Sequence, residues 1–298
     1  MHSTPQSEPP VAAPPATPSR WSRRRFLRRI AGAALVAGSG TALYAWQVEP
    51  FWTEYVRRDL PIAHLPDRWV GRTIVQLSDL HIGRTAESHI AMSVERVNAL
   101  APDLIVITGD FMSCRATEHV NDVARLLAPL RAKLGVFGIP GNHDYGSGWK
   151  QRSTCDALQT ALAGVGIPLL RNEVAEVDGV QIVGIDDLWG TNFDPAAAWS
   201  RADLTKPTLC LCHNPDACDH PVWGGYRGWI LSGHTHGGQC KSPFLPPPML
   251  PVANRRYVAG AYDVGGGRTL YINRGLGYIL QARFNVRPEV TVFTLARA

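Results

Sequence analysis

The sequence predicts an α/β domain in which two stacked mixed β-sheets are flanked by helices. Two observations carry this. Short β-branched apolar runs alternate with stretches of helical spacing through the first half of the chain, and strand candidates dominate the second half. The first arrangement calls for parallel strands with crossover helices, the second for added, partly antiparallel strands.

Taken in order, "RTIVQLS" (72–78) is an apolar run ending at Asp79, and Ile90, Val94, Val97 and Leu100 give "HIAMSVERVNAL" (89–100) helical spacing. "DLIVITG" (103–109) ends at Asp110 and precedes the helical "VNDVARLLAPL" (120–130). "GVFGIPG" (135–141) ends at Asn142, and "STCDALQTALAGVG" (153–166) is helical. "VAEVDGVQIVGI" (174–185) predicts a hairpin turning at Asp178-Gly179. "TLCLC" (208–212), "GWILSG" (228–233), "TLYIN" (269–273) and "VTVFTL" (290–295) are the remaining strand candidates.

The domain begins after a leader. Residues 1–19 are rich in Pro, Ala, Ser and Thr, with too little apolar surface to offset ordering entropy, so disorder is expected. "SRRRFLRR" (22–29) then precedes an apolar run of seventeen residues, Ile30 to Trp46, which spans roughly 26 Å as a helix against a hydrocarbon core of roughly 30 Å. Basic before moderately apolar is the pattern of a bacterial export signal, and Ser22-Arg23-Arg24-Arg25-Phe26-Leu27-Arg28 resembles the twin-arginine motif. Residues 20–46 are therefore expected to be a signal or an uncleaved membrane anchor, read by the twin-arginine translocase, with the 47–298 body on the extracytoplasmic side of the bacterial cytoplasmic membrane. The net charge of +5 belongs to this leader: residues 1–42 hold six Arg and one Glu, leaving 24 basic and 24 acidic residues beyond. From a body of balanced charge no stable nucleic-acid binding is expected.

Six cysteines, at 114, 155, 210, 212, 218 and 240, assign no pairing by themselves. Cys210-x-Cys212 sits inside an apolar strand, where buried free thiols are expected rather than a thiolate metal site.

The chemistry lies where the apolar runs stop. Five of them end in metal-capable residues: Asp79-Leu80-His81, Gly109-Asp110, Gly141-Asn142-His143-Asp144, His213-Asn214 and Gly233-His234-Thr235-His236. One Asp after a strand is an ordinary turn or cap, but five such ends in series would converge on one rim, because α/β sheets bind ligands at strand carboxyl ends.

This series resembles the motif set of calcineurin-like dinuclear metallophosphoesterases, with every block present and in order. "IVQLSDLHIG", "GIDDLWG" and "NRGLGYILQARFNVRPEV" are similar to an exported or membrane-associated bacterial branch. The resemblance implies a four-layer α/β/β/α fold and two metal ions. Asp79, His81, Asp110 and His236 would hold one, and Asp110, Asn142, His213 and His234 the other. Imidazole, carboxylate and amide oxygen suit Mn, Fe or Zn. It further implies a phosphohydrolase, with hydroxide shared between cations roughly 3.5–4 Å apart as nucleophile. His143 would contact the phosphoryl group or protonate the leaving oxygen, and Asp144 would orient His143.

The expected substrate is an envelope or lipid-linked phosphodiester. The alternatives are a UDP-2,3-diacylglucosamine pyrophosphatase-like enzyme and a non-catalytic metal-binding scaffold. The intact set of ligand types argues against the scaffold. Asp186 and Asp187 fit either a substrate contact or a solvated turn, and Arg274 and Arg283 either a phosphate contact or a structural ion pair. His64, His89, His119 and His220 fall outside the blocks. The stiff, proline-rich "SPFLPPPMLP" (242–251) should form a loop at the site rim, with Phe244, Leu245, Met249 and Leu250 meeting either a lipid surface or the body.

Overall fold

The computed structural model describes residues 23–113 and 115–298. The segment expected to be disordered over 1–19, Arg20, Ser22 of the export motif and Cys114 lie outside the described residues. Helix α1 (Arg23–Gln47) carries the arginines. Its residues up to Ala42 belong to one compact unit, and Leu43–Ala298 form another. At the end of α1 the carbonyls of Ala45 and Trp46 accept hydrogen bonds from Arg283 N (2.9 Å) and Gln281 Nε2 (3.0 Å). Among the described residues no helix is long and apolar enough to cross a membrane.

Two mixed sheets make the body. The first has the order β1 (Glu54–Ile62), β11 (Glu289–Arg297), β2 (Thr73–Leu77), β3 (Leu104–Thr108), β4 (Val136–Ile139). The second has the order β5 (Glu173–Val177), β6 (Val180–Ile185), β7 (Thr208–Cys212), β8 (Gly228–Ser232), β10 (Arg268–Ile272), β9 (Gly260–Asp263). β2, β3 and β4 are parallel and linked by α2 (Glu87–Ala99) and α3 (Val120–Leu127), while α4 (Arg152–Gly164) follows β4. β6, β7, β8 and β10 are parallel as well, as are β1 and β11, and among the described residues the antiparallel strand pairs are β2–β11, β5–β6 and β9–β10. The β5–β6 hairpin turns at Asp178 and Gly179, both at positive φ.

Strand alternation explains the layers. In β3, Leu104 and Val106 face the second sheet, while Ile105 and Ile107 face the helices. In β7, Leu209 and Leu211 point between the sheets and Cys210 and Cys212 point outward, against Trp199, Trp223 and Tyr226. All five residues of each strand are buried, so both read as unbroken apolar runs. Cys155, Cys210, Cys212, Cys218 and Cys240 are free thiols, as the sequence predicts for the Cys210-x-Cys212 pair.

β1 and β9 were not expected from the sequence. Both are edge strands, and Arg57, Arg58 and Asp59 at the exposed centre of β1 interrupt the alternation that would reveal it. With strands of both sheets ending toward one rim, the five polar blocks come together there.

Candidate metal centre

Five of the predicted ligands leave their strands by the same unusual backbone conformation. Asp79, His81, Asp110, His234 and His236 have φ of 51°, 46°, 54°, 71° and 50°. The left-handed region costs about 1–3 kcal/mol per residue where it is strained, and Asp and His enter it more readily than most side chains. The Gly233-His234-Thr235-His236 turn is therefore not the extended segment that simple alternation implies. Two left-handed residues flank a right-handed Thr235 (φ −78°), and that sequence of turns sends the two rings apart.

Three overlapping donor groups result among the described residues: Asp79, His81 and His236; His81, Asp110 and His143; and Asp110, His213 and His234, each set with donor atoms within 4.8 Å of one another. His81 Nε2 lies 2.9 Å from His236 Nε2, and the rings stack at 22°. Asp79 Oδ1 is 3.4 Å from His236 Nε2. On the other side His213 Nε2 is 3.3 Å from Asp110 Oδ2 and 3.2 Å from His234 Nδ1. Asp110 Oδ2 is also 3.6 Å from His81 Nε2, which puts this carboxylate between the groups. Asn142 Oδ1 is buried and accepts no hydrogen bond, an orphan acceptor that a cation would satisfy. The donor set and that orphan fit two divalent ions.

Backbone carbonyls fix which nitrogen each ring presents, because a carbonyl only accepts. His213 Nδ1 lies 2.7 Å from Thr108 O and carries a proton, so Nε2 is the nitrogen turned toward Asp110. His234 is reversed: Nε2 donates to Pro251 O at 2.6 Å, and Nδ1 faces the cluster. His81 Nδ1 is bonded to Ser113 Oγ at 2.6 Å. Ser113 and the Pro251 carbonyl were not expected from the sequence, which holds no signal for partners 32 and 17 residues away.

Electrostatics match a site built for cations. Burial pushes the Asp79 carboxyl up to about 7, and burial pushes the His81 and His234 imidazoles down to about 3. Burial opposes ionisation of Asp110 too, but the adjacent His213 and His143 overcome it and hold that carboxyl well below its usual range. Close glycines make room. At Gly233 a Cβ would collide with Ser78 Oγ and the Asp79 carboxylate, and at Gly109 it would fall 2.6 Å from His213 Nδ1.

His143 is half-buried, its ring 5.0 Å from that of His81 and edge-on to it, at the wall of a polar cavity shared with Arg84, Arg115 and His119. His119 is thus closer to the site than its place outside the motifs suggests. Asp144 does not orient His143. Its carboxylate accepts from Gly141 N (2.8 Å) and Met112 N (3.2 Å), so it ties the β4 loop to the β3 loop. His143 is set instead by its own backbone N–H, which donates to Asp110 Oδ1 at 2.9 Å.

The acids of "GIDDLWG" form no solvated turn. Both are fully buried. Asp186 accepts from Tyr145 Oη, Arg171 Nε and Asn192 Nδ2. Asp187 Oδ1 accepts from Trp189 N and Gly190 N, fixing the turn that lays Trp189 edge-on to His234 at 4.6 Å and stacks it on Trp149 at 5.0 Å. Arg274 pairs with Glu289 (2.5 Å) and Glu54 (2.9 Å). Arg283 is neither a phosphate contact nor an ion pair. It is fully buried and donates to the carbonyls of Arg274, Gly275, Gly277 and Val286.

A four-layer body with histidine–carboxylate groups that overlap at His81 and Asp110 defines a metallophosphoesterase. Residues 72–238 match the family model described as calcineurin-like phosphoesterase, and the chain belongs to that family. It is 36% identical to an uncharacterized metallophosphoesterase, YkuE, of Bacillus subtilis, over 93% of this chain and 98% of that one. It is 35% identical to the phosphodiesterase YaeI of Escherichia coli (92% and 99% covered). It is 30% identical to the UDP-2,3-diacylglucosamine pyrophosphatase LpxG of Chlamydia muridarum (85% and 92% covered). The protein is a phosphoric ester hydrolase of the dinuclear-metal type.

Proposed function

We propose that this enzyme is a phosphodiesterase acting outside the cytoplasm, with one metal held by Asp79, His81, Asp110 and His236 and the other by Asp110, Asn142, His213 and His234. The observation that carries the ligand assignment is the position of Asp110, within 3.6 Å of His81 Nε2 and 3.3 Å of His213 Nε2 through one oxygen. When bound, such a pair supplies Lewis acidity and a water acidic enough to attack phosphorus near neutral pH.

The chain's own residues do the rest. The Asp110 carboxylate holds its charge, and the neutral His81, His234 and His236 imidazoles present lone pairs, in a buried cluster where water does not screen them. His143, beside the cluster and open to the polar cavity, donates a proton to the leaving oxygen. Arg84 and Arg115 on the same wall attract the anionic ester.

Diester chemistry is supported by the likeness to YaeI, and a lipid-linked ester by the likeness to LpxG. Export rests on the Ser22–Arg28 motif, which would be read by the twin-arginine translocase and leave the body outside the cytoplasmic membrane or held at it. The test is hydrolysis of bis-p-nitrophenyl phosphate by Mn²⁺-loaded protein. Turnover that Asp110→Ala removes supports the reading. Metal-loaded wild type that turns over neither this diester nor a phosphomonoester defeats it.

A further inference from the structure

An apolar groove of about 620 Å³ opens directly beside the metal cluster. His236 and Thr235 form its inner wall, and Met249, Leu250, Ile279 and Leu280 line it further out. Its mouth is built from side chains that a soluble surface has no reason to display: Met249 is 78% and Leu280 72% exposed, with Phe244 at 92% and Leu245 at 65% on the same proline-rich loop as Met249. Of the apolar residues of that loop singled out in the sequence, only Leu250 turns partly inward. Ile279 borders both this groove and the cavity of Arg84, Arg115 and His143. One face of the cluster is therefore polar, with Arg84 and Arg115 outnumbering the single acid Glu118, the other is apolar beyond its inner wall apart from Gln239 and Arg255, and Ile279 touches both.

We propose that the groove seats a long hydrocarbon chain, so that the ester cleaved at the Asp110 cluster is an amphipathic lipid phosphoester. The proposal rests on the phosphohydrolase reading and places the lipid's chain within its site. The occupant follows from continuity and charge. Whatever lies in the groove ends against His236, where a phosphate would be, and the polar remainder of the molecule points to the arginine-lined cavity. A peptide or a second protein surface has no need to reach His236, whereas a chain ester-linked to the phosphate does. The exposed Phe244, Leu245 and Met249 then meet the lipid aggregate from which the chain is drawn.

The test uses full-length, Mn²⁺-loaded protein and a series of alkyl p-nitrophenyl phosphates from butyl to dodecyl, each below its aggregation concentration. Each added methylene that enters the groove should lower KM by up to roughly fourfold, with kcat nearly constant. Leu280→Asp or Met249→Asp, both at exposed positions that folding tolerates, should flatten that dependence and cut the dodecyl-to-butyl ratio of kcat/KM at least tenfold. A KM independent of chain length in the wild type overturns the proposal. So does a concentration-dependent dimer that Leu280→Asp dissolves, which would make the groove an interface between copies. If bis-p-nitrophenyl phosphate is turned over and no ester of the series is, the proposal is overturned; if neither these diesters nor a phosphomonoester is turned over, the hydrolase reading fails. The groove is then judged by binding of dansylaminoundecanoate: saturable binding weakened by Leu280→Asp upholds it, and none overturns it.

Discussion

The Nε2 atoms of His81 and His236 face each other at 2.9 Å across stacked, buried rings. Two nitrogens this close cannot both carry a proton, and burial keeps both imidazoles from becoming cations. A metal ion between the two lone pairs and the Asp79 carboxylate satisfies all three groups together.

The partner of His81 gives the first prediction. Ser113 Oγ holds His81 Nδ1 at 2.6 Å, and losing such an outer partner costs about 10–100-fold in metal affinity. Ser113→Ala should weaken one of two Mn²⁺ sites by that factor in a titration, while Asp110→Asn, which touches both groups, should lose more than about a hundredfold in kcat and disturb both sites. Two unaltered binding steps in Ser113→Ala would show that the serine does not set the ring.

Gly233 supplies the second. The Cβ of Gly233→Ala would meet Ser78 Oγ and the Asp79 carboxylate, so Asp79 must move. Overpacking of this kind costs about 1–3 kcal/mol, and the Asp79 site should lose its metal even where the protein still folds. Retention of both metals with an unchanged Tm would contradict the close approach.

The third prediction concerns pH and lies away from the metals. Burial pushes the His89 imidazole down to about 4, and its Nε2 has no hydrogen-bond partner. The unfolded chain, with an ordinary value near 6.5, binds the proton first, so His89 contributes stability above about pH 6.5 that is lost as pH falls toward 4. Its share of the loss is on the order of 3 kcal/mol at most. In urea unfolding at pH 7.5 and 5, His89→Phe should flatten this part of the dependence, because the ring pocket against Phe51 stays filled. Parallel curves for wild type and variant would exclude His89 as the titrating group.

Arg283 gives the fourth. Its guanidinium serves four carbonyls at once, and burial lowers it only to about 10, so it stays charged at neutral pH. Lysine has three donors and no planar fork, so Arg283→Lys should cost about 2–3 kcal/mol, read as a lower urea midpoint at unchanged slope. An unmoved midpoint would mean that the clasp does not hold the 274–286 loop.

How much of this was legible depended on distance along the chain. Strand and helix positions, the β5–β6 turn and the buried Cys210-x-Cys212 pair follow from local periodicity. β1 and β9 escaped because edge strands carry the charges and short length that hide the pattern. Asp144 and Arg283 carried the right chemistry for a site, yet each is occupied by backbone groups that no spacing reveals.

The sequence by itself determined the α/β class, the five strand-end blocks and the identity of the metal-capable residues, since these are fixed by residue type and position relative to apolar runs. Only the tertiary structure decided which ring nitrogen each histidine offers, how His234 and His236 diverge, and that an apolar groove meets a polar cavity at Ile279. The reason is physical: Thr108 O lies 105 residues from His213, and the groove joins a loop near 250 to another near 280. Periodicity reports which face of an element is buried. It carries no information about what a side chain meets when chain segments far apart in sequence are brought within 3 Å.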